Sequence, residues 1–418
     1  MAMFAAAADV RAAEPARVRV SVVHEFHHDP NGDEGAYPGG VAVAPDGSLY
    51  GTTEAGGRYG AGTVFRFKPP TQFETIHTFK GPDGFAPDRC LLLGADGAFY
   101  GTTGFDTSGD RKDIFRLSPS GDLRRLVTFT LPATREDWRS FLVRGVDGHV
   151  YGVSNVDTDA FRLAQHKAWA SPGPVYQVVA GVVTQRLIPI SNPRDFKVTD
   201  SKEDALTRRT SEAPPVDSTV LCGETVPAHD GHLWAPLING FRVGRSNTTE
   251  LKGGMYDPQG MWNAAVGRKP TDAERRYAGG AFGRFAEIDD GTILATTRVQ
   301  EGGNWLSEVV GISIDGAVTR HISLDALGPG HKPVLGLVPS RDGYLYGLAQ
   351  GESKSSSVMF RLKPAGPVEV VCTFDTEDFE RPIRSPIVPD VRGDALYVTF
   401  RDGGANHQGA IYRVSVSE

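Results

Sequence analysis

Apolar and polar positions along this chain fall into short strand-like runs rather than a helical period. Each run follows an Asp-Gly pair. Asp46-Gly47 leads to Leu49-Tyr50-Gly51-Thr52-Thr53, Asp96-Gly97 to Phe99-Tyr100-Gly101, and Asp147-Gly148 to Val150-Tyr151. Asp230-Gly231 leads to Leu233-Trp234, Asp290-Gly291 to Ile293-Leu294, and Asp342-Gly343 to Leu345-Tyr346. The reversed pair Gly393-Asp394 leads to Leu396-Tyr397. Asp-Gly is a strong hairpin signal because glycine accepts a positive φ without steric cost. The aromatic and β-branched residues that follow suit a pleated, half-buried surface.

A second run comes after each turn: Val64-Phe65-Arg66, Ile114-Phe115-Arg116, Ala160-Phe161-Arg162, Gly240-Phe241-Arg242, Met359-Phe360-Arg361 and Ile411-Tyr412-Arg413. The fifth copy has Glu308-Val309-Val310-Gly311 instead. A third run, His77-Thr78-Phe79, Val127-Thr128-Phe129 or Cys372-Thr373-Phe374, closes the unit. Most turns lie about 50 residues apart, and the steps Asp147 to Asp230 and Asp230 to Asp290 lengthen to 83 and 60. A unit near 50 residues holds four short strands, a to d, which is the size of one propeller blade. The last unit ends after its strand c, while Arg19–Phe26 matches strand d and precedes the first strand a. The fold expected is all-β: a seven-bladed β-propeller closed by an N-terminal strand that completes the last blade, which removes exposed sheet edges. One propeller spans 17–418, after a leader or signal remnant at 1–16, with insertions at about 180–221 and 256–279.

These runs resemble the tandem GloVer repeat family of bacterial proteins, most closely from Leu49 through Glu54-Ala55-Gly56-Gly57 to Gly62-Thr63-Val64-Phe65-Arg66. The resemblance implies a propeller, often in an exported protein. It implies no catalytic residues.

Composition narrows the function classes. Gly (50 residues) and Pro (28) are frequent, as tight turns require. The formal charge of −7 disfavours nucleic acid as partner. No apolar run reaches the ~20 residues of a membrane span. The Ala-rich Met1–Ala16 reads equally as a trimmed secretory signal or a disordered leader, which makes the chain secreted or periplasmic in the first case and cytoplasmic in the second. Cys90, Cys222 and Cys372 are too few for a disulfide framework, though one pair is possible. Cys90 and Cys372 sit in apolar runs and read as small buried residues. No cofactor or metal is expected. Glycine-rich phosphate loops and zinc spacings are absent, and the stretch His27–Glu34 matches a calcium loop only in part, with Glu34 where that loop needs glycine.

The Asp-Gly turns, the Tyr four residues on and the arginine of strand c all read as scaffold, the Tyr packing between blades. Function is expected where the repeat breaks, on the edge that carries the b–c and d–a loops, because long loops on a rigid scaffold commonly carry binding and catalysis. The strand Pro174–Val179 reads as strand d of the third blade, so both insertions read as d–a connections of adjacent blades. The second holds Tyr256, Asp257, Trp262 and Tyr277, a mix of flat apolar faces and polar groups that suits a sugar-like ligand. Arg89, Arg139, Arg284 and Arg384 stand at the starts of strands a, with His331 and Lys332 in the sixth blade and Glu224 in the fourth. Guanidinium groups there would hold carboxylate or sulfate. Their parity relative to the turns differs, so regular strands would not point all four the same way.

Two function classes follow. One is an enzyme acting on an anionic substrate, most sharply a lyase catalysing β-elimination. Arg139, Arg89 and Arg284 would clamp the substrate carboxylate, with Tyr277 or His331 as the base or acid. Arg384, Glu224, Tyr256, Asp257 and Trp262 would bind substrate. A small-molecule biosynthetic lyase or cyclase would use the same kind of site. The other class is a non-catalytic propeller that binds a glycan or a protein.

Overall fold

The computed structural model describes residues 18–27, 32, 34–87, 91–104, 111–130, 140–144, 150–154, 175–179, 182–186, 226–227, 233–237, 242–246, 251–255, 281–301, 304–312, 318–328, 331–351, 356–375 and 386–416. The fold is all-β, and the described strands form seven four-stranded antiparallel sheets. After β1 (Arg19–Glu25), the first sheet is β2 (Gly35–Val43), β3 (Leu49–Gly56), β4 (Thr63–Lys68) and β5 (Gln72–Thr78). The second is β6 (Leu92–Leu93), β7 (Phe99–Thr102), β8 (Arg111–Leu117) and β9 (Leu123–Thr130). The third is β10 (Ser140–Arg144), β11 (Val150–Ser154), β12 (Val175–Val179) and β13 (Val182–Arg186). The fourth is β14 (Val226–Pro227), β15 (Leu233–Leu237), β16 (Arg242–Ser246) and β17 (Leu251–Met255). The fifth is β18 (Ala281–Glu287), β19 (Ile293–Glu301), β20 (Asn304–Ile312) and β21 (Val318–Ser323). The sixth is β22 (Lys332–Pro339), β23 (Leu345–Gln350), β24 (Ser356–Leu362) and β25 (Val368–Asp375). The seventh joins β26 (Val388–Pro389), β27 (Ala395–Phe400) and β28 (Ala410–Ser415) to β1, whose Arg19 pairs with Ser415 and Glu25 with Ala410.

The turn residues do what their chemistry predicts. Gly47, Gly97, Gly291 and Gly343 all hold positive φ, and the aspartate before each accepts a hydrogen bond from the amide two residues on. The reversed pair of the last sheet keeps the same frame. Gly393 still has φ +75, and the amides of Gly393 and Asp394 bond the carbonyl and the carboxylate of Asp390. The carboxylate has moved to the first residue of the turn, and the glycine has stayed.

The two main runs of the repeat are linked by close packing. Gly51, Gly101 and Gly347 pair across the sheet with Phe65, Phe115 and Phe360. A Cβ on any of these glycines would lie 2.4 Å from the ring opposite. The glycine after each Tyr exists to admit the strand-c phenylalanine. Those three rings are fully buried, and so are Tyr100 and Tyr346.

Neighbouring sheets meet through these residues, and the tyrosines pack between them as the repeat suggested. Tyr50 stacks on Phe99 of the second sheet with centroids 4.1 Å apart. Further clusters join the second sheet to the third through Tyr100 and Leu142, and the fifth to the sixth through Leu294 and Leu345. The sixth meets the seventh through Tyr346 and Val398. Phe26, just after β1, packs with Phe65 of the first sheet and with Tyr397 and Ile411 of the last. The first strands also touch in series: β2 meets β6 and β26, β6 meets β10, and β18 meets β14 and β22.

One strand assignment differs from expectation. Val175–Val179 pairs with both β11 and β13, so it is strand c of its sheet rather than strand d. Tyr151 lies opposite Gln177 there, which puts Tyr176-Gln177 where Phe161-Arg162 had been expected. The extra residues of this unit therefore divide, part before β12 and part after Arg186. The connection expected to begin near residue 180 begins after β13. In the fourth sheet Arg242 opens β16, the third strand, as the motif suggested, and Trp234 lies opposite Arg245. The error in the third sheet came from motif matching in the unit where spacing is longest.

Candidate functional site

The two edges of the sheets differ in chemistry. On the Asp-Gly edge, Asp96 accepts from Tyr100 Oη at 2.9 Å and from Arg116 Nε at 2.9 Å. Burial pushes Asp96 up, but the hydrogen bonds from Tyr100 and Arg116 outweigh it and hold the carboxyl below its usual range. In the sixth sheet Asp342 accepts from Tyr346 Oη at 2.7 Å, with Arg361 at 4.0 Å and also bonded to Glu369. Burial, then the bond to Asp342, raises the Tyr346 phenol. In the first sheet Arg66 reaches Tyr50 and Glu74. These groups bond mainly to one another, although Arg361 Nη1 is buried without a hydrogen-bond partner, and that fits a scaffold role.

The opposite edge carries the b–c and d–a loops. At the start of β2, Tyr37 lies beside the end of β3 with φ +60, and its amide bonds the carbonyl of Gln408 at 2.8 Å. Arg401, following β27, lays its guanidinium 4.3 Å from the Tyr37 ring centroid. Its Nε bonds Glu54 Oε2 at 2.8 Å and its Nη1 bonds Asp402 Oδ1 at 2.6 Å. Burial disfavours the Arg401 charge, but Glu54 and Asp402 more than restore it, so its pKa is raised. All three ionic side chains are partly open to solvent. The loop from Arg401 to Gly409 is tied to β1 and its continuation. Ala405 N donates to Glu25, Asn406 meets His27 Nδ1 at 2.6 Å, and Phe26 N bonds Gly409 O.

Two histidine–carboxylate pairs flank this region at equivalent places. His24 Nε2 lies 2.7 Å from Glu34 and packs edge-on to Phe26, and His77 Nε2 lies 3.1 Å from Asp83 and packs edge-on to Phe79. Burial lowers the His77 pKa against the pull of Asp83. Glu34, a member of the stretch compared with a calcium loop, is thus engaged by His24.

Of the residues singled out from sequence, His331 is the one whose side chain is described. It stands before β22 on the loop-bearing edge, half-buried. Its Nδ1 lies 3.1 Å from Gly328 O, and its carbonyl accepts from Ser307 Oγ at 2.6 Å. A carbonyl only accepts, so Nδ1 carries a proton, and in the neutral imidazole Nε2 is the nitrogen with the free lone pair. Arg284 lies in β18, within a register irregularity between Phe282 and Ala286. The regular alternation used to argue its direction does not hold there. Arg89, Arg139, Arg384, Glu224, Tyr256, Asp257, Trp262 and Tyr277 lie outside the described residues. Residues 256–280 connect the end of β17 with the start of β18. Cys372 is a free thiol, raised to about 12 by burial. Among the described residues no helix is long and apolar enough to cross a membrane.

Sequence reasoning missed Tyr37 and Arg401. The signal was present but lay in no motif: both occupy repeat positions where the neighbouring unit has different chemistry, Ala86 and Glu54 respectively.

Residues 12–161 match the Gloeobacter/Verrucomicrobia repeat, in agreement with the resemblance seen in the first blades. The periplasmic gluconolactonase PpgL of Pseudomonas aeruginosa is similar at 18% identity over 90% of this chain and 95% of that one, with a TM-score of 0.44. The polysaccharide lyase Uly1 is similar at 10% identity over 94% and 92%, with a TM-score of 0.45. The β-propeller domain of the Trilobed protease from Pyrococcus furiosus is similar at 8% identity over 92% and 96%, with a TM-score of 0.43. No curated protein matches the chain.

Proposed function

We propose that this chain is one seven-bladed β-propeller, closed by β1, that acts on an anionic sugar-like substrate on its loop-bearing edge as a β-elimination lyase. The observation that supports this best is the orientation of His331. Its Nδ1–H is held by the Gly328 carbonyl, which leaves Nε2 as a proton acceptor on the edge where the arginines of strands a begin. In the reaction, His331 Nε2 takes the proton next to the substrate carboxylate. The C–H electrons become a C=C bond, the C–O bond to the leaving sugar breaks, and Tyr277 returns a proton to that oxygen. Arg139, Arg89 and Arg284 neutralise the carboxylate and acidify the proton to be removed. Arg384, Glu224, Tyr256, Asp257 and Trp262 line the substrate. Such a protein would meet its glycan outside the cytoplasm, secreted or in the periplasm.

The test is ultraviolet absorbance of unsaturated product from a panel of uronate-containing glycans, run with wild type, Arg139→Ala and His331→Gln. Turnover lost in both variants supports the assignment. Turnover retained in His331→Gln removes His331 as the base. Silence of the wild type across the panel overturns the lyase and leaves a small-molecule lyase or cyclase, or a binding module. The binding module is favoured by one observation of its own, the Tyr37–Arg401 cluster, whose two carboxylates are both bonded to the Arg401 guanidinium.

A further inference from the structure

The junction between the last and first sheets and the junction between the first and second share one backbone frame. Gly409 N bonds Gly403 O as Gly62 N bonds Gly56 O, and Phe26 N bonds Gly409 O as Phe79 N bonds Gly62 O. Tyr37 N bonds Gln408 O as Ala86 N bonds Ala61 O, both at 2.8 Å. His407 N bonds Gly404 O as Gly60 N bonds Gly57 O. Even the strained conformations correspond: Tyr37 and Ala86 have φ +60 and +41, and His407 and Gly60 have φ +53 and +70.

The side chains on this common frame differ. The first–second junction builds it with Ala86 and Gly60, which bring no polar or aromatic side chain. The last–first junction places Tyr37 and His407 there, although bulky residues disfavour that conformation. Arg401 stands where the first sheet has Glu54, and it reaches across the junction to that same Glu54. The frame needs none of these side chains, because its neighbour folds without them. Both junctions share the positive φ, so what sets this one apart is the side chains it carries there.

We infer that Tyr37, Arg401, Glu54 and Asp402 form a binding subsite for a neutral polyhydroxylated ring, the chemistry of an uncharged sugar unit. Tyr37 supplies an aromatic surface that is only half-buried. Arg401 Nε and Nη1 serve the two carboxylates, and its Nη2 has no partner among the described residues, which leaves it to donate to a ligand hydroxyl. The guanidinium donates and the two carboxylates accept, so the cluster offers both kinds of partner that the hydroxyls of a sugar need. The guanidinium over the ring fixes both groups before a ligand arrives. The subsite does not depend on the lyase reading.

The test is saturation-transfer NMR and calorimetry with neutral cello-, xylo- and galacto-oligosaccharides, on wild type and Tyr37→Ala. This variant should fold, because alanine occupies the equivalent place at residue 86. We expect ring-proton signals from at least one neutral probe in the wild type, and a Kd raised at least tenfold in Tyr37→Ala with the melting temperature unchanged. Arg401→Lys, which keeps the charge but loses the fork, should weaken binding of the same probe. The subsite is overturned if the wild type binds no neutral probe, or if Tyr37→Ala binds equally well. A lower melting temperature with unchanged binding would assign Tyr37 to the seam alone and also overturn it. Uronate turnover measured on the same wild-type protein separates the two proposals. Turnover without neutral-sugar binding leaves the lyase and removes the subsite, and the converse leaves the subsite and removes the lyase.

Discussion

The Asp-Gly edge and the loop-bearing edge respond differently when the repeat varies. On the Asp-Gly edge a lost group is replaced from elsewhere. The fifth sheet has Gly311 where other sheets place the strand-c arginine, opposite Leu294. Arg320, directly across from Gly311 on β21, swings over and pairs with Asp290 instead. In the last sheet the turn carboxylate has moved to Asp390 and still caps the turn. On the loop-bearing edge the exchange of Ala86 for Tyr37, or of Glu54 for Arg401, restores nothing and adds chemistry that the frame does not need. Compensation marks a structural constraint, and its absence marks a surface free to take on a ligand.

That contrast is sharpest where the Asp-Gly edge is most buried. Arg361→Ala leaves Asp342 and the partly exposed Glu369 without their cation, with Asp342 nearly enclosed. Removing one partner of a buried pair should cost roughly 3 kcal/mol in urea unfolding. Tyr100→Phe removes one hydrogen bond to a partly buried carboxylate that still has Arg116, and should cost about 1–2 kcal/mol. Arg320→Ala should cost less than either, since its partner Asp290 lies in open solvent where ion pairs are weak. All three should leave ligand binding and turnover untouched. A variant among them that loses binding while keeping its stability would break the division between the edges.

Most of the fold was legible because the repeat writes its packing directly. The pairing of Gly51 with Phe65 links two motifs that look independent in sequence, and the same link recurs at Gly101 and Gly347. Arg19–Glu25 was identifiable as a partner for β28 because the last unit lacks a fourth strand and this segment carries the pattern of one. The third sheet was misread where Phe161-Arg162 imitates the strand-c motif. Register depends on cross-strand partners, and a dipeptide does not encode them. The loop-bearing edge was less legible for a related reason. Arg401 and Glu54 are 347 residues apart and meet only because β1 joins the two ends of the chain. His331 was chosen from its place before strand a, but nothing in the sequence indicated that the Gly328 carbonyl would set its tautomer.

The smallest effect expected tests whether the loop-bearing edge has scaffold of its own. His24–Glu34 and His77–Asp83 recur at equivalent positions, so by the compensation argument they belong to the frame. Burial lowers the His77 pKa below its ordinary value of 6.5, despite Asp83, with Lys80 nearby adding to the lowering. The unfolded chain therefore takes up the proton more readily than the folded one. Above pH 6.5 both states are neutral at this site and its contribution is flat. As pH falls through 6.5 toward the folded value, the unfolded state gains protons first and stability declines. Urea unfolding of wild type and His77→Gln across this range should show the wild type losing more stability on acidification. Binding of neutral oligosaccharides to the folded protein should not follow the same curve. If the wild type instead gains stability on acidification, protonated His77 forms a net favourable ion pair with Asp83, and the attraction of that carboxylate outweighs burial. If binding tracks the titration, the pair acts on the ligand surface, and the loop-bearing edge has no separate scaffold at this position.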